Sequence, residues 1–110
     1  MIIKVSVIMP SLNVAPYIRQ CLESVINQAL RDIEILCIDA GSTDGTRKIL
    51  EEYAARDMRI RLIDSPVKSY GYQVNLGINT AQGKYIGIVE TDDRINPDVM
   101  SLMYEVAEKI

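Results

Sequence analysis

The 110-residue sequence contains no histidine. Imidazole acid–base catalysis, Ser-His-Asp triads and zinc–histidine centres are therefore excluded. Cysteine is scarce: Cys21 and Cys37 lie far apart, each in an apolar segment. Both read as buried small hydrophobes rather than disulfide partners. There is no apolar run long enough to span a bilayer, and no signal-peptide layout at the N-terminus. Cytoplasm is the expected compartment. A net charge of −3 without a basic stripe makes nucleic acid a poor partner. The common phosphate-binding signatures are missing too. There is no GxxxxGK[ST], and no GxGxxG follows the first apolar segment. A receiver domain would need an acidic pair where this chain has Met9-Pro10-Ser11.

What is present is the balance of one small globular domain, 48% hydrophobic and 25% charged, which argues against disorder. Ile3 to Met9 reads as a buried strand ended by Pro10. Helical spacing of Ile18, Cys21, Leu22, Val25, Ile26 and Ala29 predicts a helix from Pro16 to Ala29, with Pro16 in its first turn. Ile33 to Asp39 is a second strand. A helix capped by Thr43 or Asp44 follows, with Ile49, Leu50, Tyr53 and Ala54 inward. Arg59 to Asp64 alternates as a third strand. A helix from Gly71 to Ala81 should turn Val74, Ile78 and Ala81 inward, with Gly83 closing it. Tyr85 to Glu90 is a fourth strand. A last helix should be capped by Asn96, opened by Pro97 and packed through Val99, Met103, Val106 and Ile110. Alternating strands and helices imply an α/β fold, a Rossmann-like parallel sheet with helices on both faces and right-handed crossovers.

Such sheets bind ligands at the carboxyl ends of their strands. Polar residues gather there: Pro10-Ser11-Leu12-Asn13, Asp39-Ala40-Gly41-Ser42 and Glu90-Thr91-Asp92-Asp93. Nothing similar is expected at the opposite ends. Clustered carboxylates repel one another unless a cation intervenes. Glu90 and Asp92 are candidate ligands of Mg2+ or Mn2+, which bind through one or two carboxylates and phosphate oxygens. Alternatively, Asp92 or Asp93 caps a turn and the others are solvated. Asp39 could accept the N3–H of uracil, or could bond its own turn. Asp44 reads as structural, and Gly41 and Gly45 as residues of special backbone conformation. The helix start at Ser69-Tyr70-Gly71 could offer N–H groups to a phosphate, with Lys68 assisting or merely solvated. Tyr70 and Tyr72 could stack on a ring; Tyr53 and Tyr104 read as packing residues.

From Val5 to about Met103 the chain resembles the N-terminal half of family 2 glycosyltransferases, which have the GT-A fold. The pieces come in the family's order: Ser6 to Asn13, Ser24 to Gln28 as S-x-x-x-Q, Ile38 to Thr46 as VDDGSTDGT, Asn75-Leu76-Gly77 with Ala81 to Ile86, and Glu90 to Asp93 as D-x-D-D. The resemblance implies sheet order 3-2-1-4 and inverting sugar transfer from a nucleotide donor, usually a UDP-sugar. It implies nucleotide contacts at Pro10, Ser11, Asn13, Asp39, Ser69, Gly71, Thr91 and Asp92, with a divalent cation on Asp92 and Glu90. Leu12, Ala40, Glu90, Val74 and Ser69 depart from the family pattern. The general base and acceptor site are expected beyond residue 110, so residues 1–110 are expected to be a donor-binding part without a catalytic residue. A non-catalytic nucleotide-binding or regulatory domain is the alternative. With Tyr85 to Glu90 at an exposed edge that later strands would cover in a complete enzyme, a homo-oligomer of residues 1–110 is also expected.

Overall fold

The computed structural model describes residues 2–110. Its elements run β1 (Val5–Ser11), α1 (Ala15–Ile26), β2 (Ile33–Asp39), α2 (Thr46–Arg56), β3 (Ile60–Asp64), α3 (Tyr70–Thr80), β4 (Tyr85–Ile88) and α4 (Val99–Lys109). The strands form a parallel sheet in the order β3-β2-β1-β4. This is the arrangement the resemblance implies. Val5 pairs with Ile33 and Ser11 with Asp39; Asp39 in turn pairs with Asp64. These pairings bring the carboxyl ends of β1, β2 and β3 level.

The larger core lies on one face of the sheet. Val5, Val7 and Met9 of β1 and Ile33, Ile35 and Cys37 of β2 meet Ile18, Cys21, Leu22 and Val25 of α1, Leu50 and Tyr53 of α2, and Met100 of α4. Each fully buried Ile or Leu contributes about 1.5–3 kcal/mol relative to exposure. The other face is covered by α3 over Ile8, Leu36 and Ile38, with Ile63, Leu76 and Ala81 at its margin. Cys21 and Cys37 are free and buried, and burial is the first cause that pushes each thiol up to about 12.

Several sequence expectations are corrected. Pro10 does not end β1; it pairs with Ile38 inside the strand. Ser11 turns its carbonyl toward β2, where it accepts from the Ala40 N–H, so Pro10 faces the β4 side. There the pairing of β1 with β4 ends at Ile8 and Ile88, so the N–H that proline lacks falls beyond the paired residues. α1 stops at Ile26, leaving Ala29 exposed while Gln28 is buried. Gly45, not Thr43 or Asp44, holds the cap position of α2, at φ +100°. Gly41 shares that left-handed conformation at φ +86°, as expected for both glycines.

On α3 the buried positions are Gln73 and Gly77, and Ile78 stays half-exposed. The helix lies so close to β1 that a Cβ on Gly77 would come within 2.7 Å of the Ile8 side chain. The face carrying Gly77 therefore sits on the sheet, and Ile78 is rotated away from it. Gly83 does not close α3. It passes against β1, where a Cβ would lie 2.6 Å from the Ser6 backbone nitrogen.

The start of α4 is set by Asp98 rather than Asn96 and Pro97, and Met100 is its buried residue. Leu102, Met103, Val106 and Ile110 are exposed. The opposite end of the sheet is not bare either. Glu34 is buried there, accepting from the Ser6 hydroxyl at 2.6 Å and the Gln82 N–H at 2.6 Å, with Arg61 3.5 Å away. These bonds pin the α3–β4 turn to the start of the sheet.

Candidate functional site

The polar strand ends surround a cleft of about 290 Å³. Pro10, Ser11, Leu12 and Val14 line it from β1 and the following turn. Lys68, Tyr70 and Gln73 line it from the approach to α3 and its first turn, and Glu90, Thr91 and Asp92 from the loop after β4. Five predicted site residues, Pro10, Ser11, Glu90, Thr91 and Asp92, thus meet on one wall system. Asn13, Asp39, Ser69 and Gly71 stand outside that lining.

Bonds within the loops explain how those four are used in the free chain. Asn13 adopts φ +53°, and its Oδ1 accepts from the Thr43 N–H at 2.8 Å while its own N–H donates to Ser42 Oγ at 3.0 Å. It staples the turn after β1 to the turn after β2. Asp39 is buried, and both its oxygens accept from Ser42, one from the hydroxyl at 2.5 Å and one from the N–H at 3.2 Å. Ser69 caps α3 by accepting from the Tyr72 N–H at 3.4 Å. The other N–H groups of that first turn, including Gly71's, have no acceptor within the helix.

Asp44 is structural, as expected. It accepts from the Thr46 hydroxyl and N–H and from the Ala15 N–H, joining the starts of α1 and α2. Those donors, the Thr46 hydroxyl first, hold its carboxyl below the usual range.

The loop bearing the carboxylates is held from behind. The Thr91 hydroxyl is buried and donates to the Pro10 carbonyl at 2.9 Å. The Cys21 thiol donates to the Glu90 carbonyl at 3.4 Å. Ser24 Oγ accepts from the Ile95 N–H. Gln28, wholly buried, donates to the Ser24 and Asn96 carbonyls and accepts from the Met100 N–H. Ser24 and Gln28 therefore clamp the 95–100 segment to α1.

With the backbone fixed, the side chains face the cleft. Glu90 Oε1 accepts from the Tyr70 hydroxyl at 2.6 Å across the cleft, and that bond raises the Tyr70 pKa above its ordinary value. Asp93 accepts from the Arg94 N–H, the turn role considered for it. Among the described residues the Asp92 carboxylate has no internal partner. No three His, Cys, Asp or Glu side chains among them converge as a closed metal cage. Glu90 and Asp92 on one wall still fit a hard divalent cation, which needs only one or two carboxylates when phosphate and water complete its shell. The residues that sequence reasoning missed are Gln73, whose Nε2 donates to the Ser11 and Ile38 carbonyls, and the Glu34–Ser6 pair. Nothing in the periodicity marks Gln73. Glu34 could have been found as a carboxylate inside a strand buried on both faces.

Comparison with known proteins agrees with this fold. The model of the family described as Glycosyl transferase family 2 matches residues 6–110. The uncharacterized glycosyltransferase EpsJ of Bacillus subtilis (strain 168) is 40% identical over 109 residues, covering 99% of this chain and 32% of that protein. Chondroitin synthase of Escherichia coli is 37% identical over 105 residues, covering 96% of this chain and 15% of the synthase. The chain thus spans about a third or less of the length of these relatives. Among solved structures, S. aureus TarS 1-349 in complex with UDP superposes with a TM-score of 0.87 at 26% identity, covering 96% of this chain and 32% of that one. The mannosyltransferase PcManGT from Pyrobaculum calidifontis, in complex with GDP-Man and Mn2+, gives a TM-score of 0.81 at 25% identity, covering 94% and 31%.

Proposed function

The chain belongs to glycosyl transferase family 2, and from that premise we propose that it is the donor-binding part of a longer enzyme. That enzyme transfers a sugar from a UDP-sugar to an acceptor hydroxyl with inversion. The observation that carries the proposal is the cleft itself: Pro10, Ser11, Thr91 and the carboxylates of Glu90 and Asp92 on one wall system, at the carboxyl ends of a parallel sheet. The UDP bound by TarS and the GDP-Man bound by PcManGT support a nucleotide-sugar as the ligand class.

In this reading Pro10, Ser11 and Thr91 lie along the nucleoside. Asp39 receives the base N–H with the lone pairs that Ser42 leaves free, and Asn13 holds the two turns in register. The first turn of α3, from Ser69 through Gly71, offers N–H groups to the diphosphate, with the Lys68 ammonium on the same wall. Asp92 and Glu90 hold the divalent cation, which when bound neutralises charge on the leaving diphosphate. Occupying that site requires the Glu90–Tyr70 bond to open or to share its oxygen. The acceptor site and general base belong to the remainder of the enzyme. Among the described residues no helix is long and apolar enough to cross a membrane; the proposal locates this part in the cytoplasm, where sugar nucleotides are made. For residues 1–110 by themselves it also has β4, at the sheet edge with Ile86 and Ile88 half-exposed, pair with another copy, an edge that later strands of the longer enzyme would cover. Sedimentation at high concentration checks that association, and a monomer would contradict it.

The test of the function is turnover. The longer enzyme, with the residues beyond 110, is incubated with a UDP-sugar and acceptor glycans, and the anomeric configuration of the product is read by NMR. An inverted glycoside supports the proposal. Nucleotide binding without transfer or donor hydrolysis would favour a non-catalytic nucleotide-binding domain.

A further inference from the structure

Gln73 is 4% exposed, yet it lines the cleft. Its amide orientation is determined by its neighbours. One terminal atom lies 3.0 Å from the Ser11 carbonyl oxygen and 2.8 Å from the Ile38 carbonyl oxygen. Only the NH2 group can occupy that place, because the reversed amide would set oxygen against two carbonyl oxygens. Both Nε2 hydrogens are thereby committed to the backbone at the ends of β1 and β2. Gln73 Oε1 is left with no donor among the described residues. No buried side-chain oxygen or nitrogen among them lacks a partner, so an unpartnered Oε1 keeps contact with solvent. The cleft is the opening that Gln73 lines.

Asp39, the other buried acceptor at the same edge, has both oxygens engaged by Ser42. Gln73 therefore presents the neutral acceptor whose own structure does not use it. A carboxamide oxygen held this way accepts hydrogen bonds and cannot donate. Leaving it unpaired when a ligand excludes water costs free energy.

We infer that Gln73 is a specificity-determining residue of the cleft, whose Oε1 accepts a hydrogen bond from one ribose hydroxyl of the bound nucleoside. The inference rests on the donor-binding reading above. In that reading Asp39 takes the base N–H, the one donor on a uracil ring, so the donor left for Gln73 on a uridine nucleotide is a ribose hydroxyl, 2′ or 3′. A ligand offering an acceptor at that point is rejected. The dipole at the strand ends is also fixed before the ligand arrives, because Gln73 ties α3 to two strands.

The experiment is a calorimetric series with UDP, N3-methyl-UDP, 2′-deoxy-UDP and 3′-deoxy-UDP, each with Mn2+, against the protein and its Gln73→Met variant. The expected result is that one deoxy analogue binds roughly three- to tenfold more weakly than UDP to the unaltered protein. That difference disappears in Gln73→Met. The deoxy arm that loses affinity identifies the 2′ or the 3′ hydroxyl as the donor. N3-methyl-UDP is the control, whose weakening persists in Gln73→Met because Asp39 reads the base. A base-arm loss that disappears in Gln73→Met overturns the ribose assignment. A deoxy-analogue penalty that persists undiminished in Gln73→Met overturns the inference, because the hydroxyl is then read by another residue. Equal binding of UDP and both deoxy analogues by the unaltered protein also overturns it.

Should the variant fail to fold, the unaltered protein decides by NMR. The Gln73 side-chain amide resonances shift with UDP and not with the analogue that lacks the donor; unshifted resonances with every ligand overturn the inference. Absence of UDP binding altogether overturns the donor-binding reading itself, an outcome distinct from the others.

Discussion

The two ends of the sheet use the same side-chain chemistry for opposite purposes. At the amino end, Glu34 is buried and accepts from Ser6 and Gln82, with Arg61 beside it. At the carboxyl end, Asp92 is exposed and has no partner among the described residues, and Glu90 is held by a single tyrosine across an open cleft. A buried carboxylate that lost its donors would destabilise the fold strongly. A solvated carboxylate costs the fold almost nothing and stays available to a ligand. Where a protein leaves polar groups unspent, it has room for function; where it satisfies them, they hold the structure.

The largest expected effect tests the amino end. Glu34→Leu leaves the Ser6 hydroxyl and the Gln82 N–H without their acceptor, and is expected to lower unfolding free energy by about 3 kcal/mol. Denaturant melts measure it, and a change below about 1 kcal/mol would mean the network is not structural. Gly83→Ala follows. Its Cβ would meet the Ser6 backbone nitrogen at 2.6 Å, and backbone cannot swing aside as a side chain can. A loss of about 2 kcal/mol is expected in the same melts.

Asp92→Ala tests the carboxyl end. Its expected stability change lies within about 0.5 kcal/mol. A large loss would show that the end is structural and break the contrast.

The smallest effect is one of pH. Glu108 is held down to about 2 by Lys84 first, then by the hydroxyls of Tyr85 and Tyr104. A carboxyl depressed in the folded chain contributes stability above its unfolded value, near 4.3. That stability is lost as pH falls through about 2. Amide exchange should therefore show α4 docked to β4 at pH 5 and loosening progressively toward pH 2. Loosening already complete at pH 5 would contradict the assignment.

Much of the fold is legible in the sequence because its strands are apolar and β-branched. Ile33–Asp39 is a strand with the predicted bounds, and α1 buries Ile18, Cys21, Leu22 and Val25 as its spacing implies. The orientation of α3 was not legible. Hydrophobicity points to Val74 and Ile78, whereas close packing selects the smallest residue, Gly77, for the sheet-facing side. The same limit hid Gly83, whose place is set by the approach of Ser6 and not by a helix end. On α4, periodicity predicts Val99, Met103, Val106 and Ile110 inward, but Met100 is the buried residue and Met103, Val106 and Ile110 are exposed. The strand-end grouping of Pro10, Ser11, Glu90, Thr91 and Asp92 was legible from topology alone. Gln73 was not, because its orientation depends on two carbonyls distant in sequence.

The contrast between the two ends is tested most directly by titrating the protein and its Asp92→Ala variant with UDP, with and without Mn2+, using CMP as control. The account predicts Mn2+-dependent UDP binding to the unaltered protein and its loss in Asp92→Ala, at unchanged melting temperature. UDP binding that is indifferent to both Mn2+ and Asp92 would contradict it.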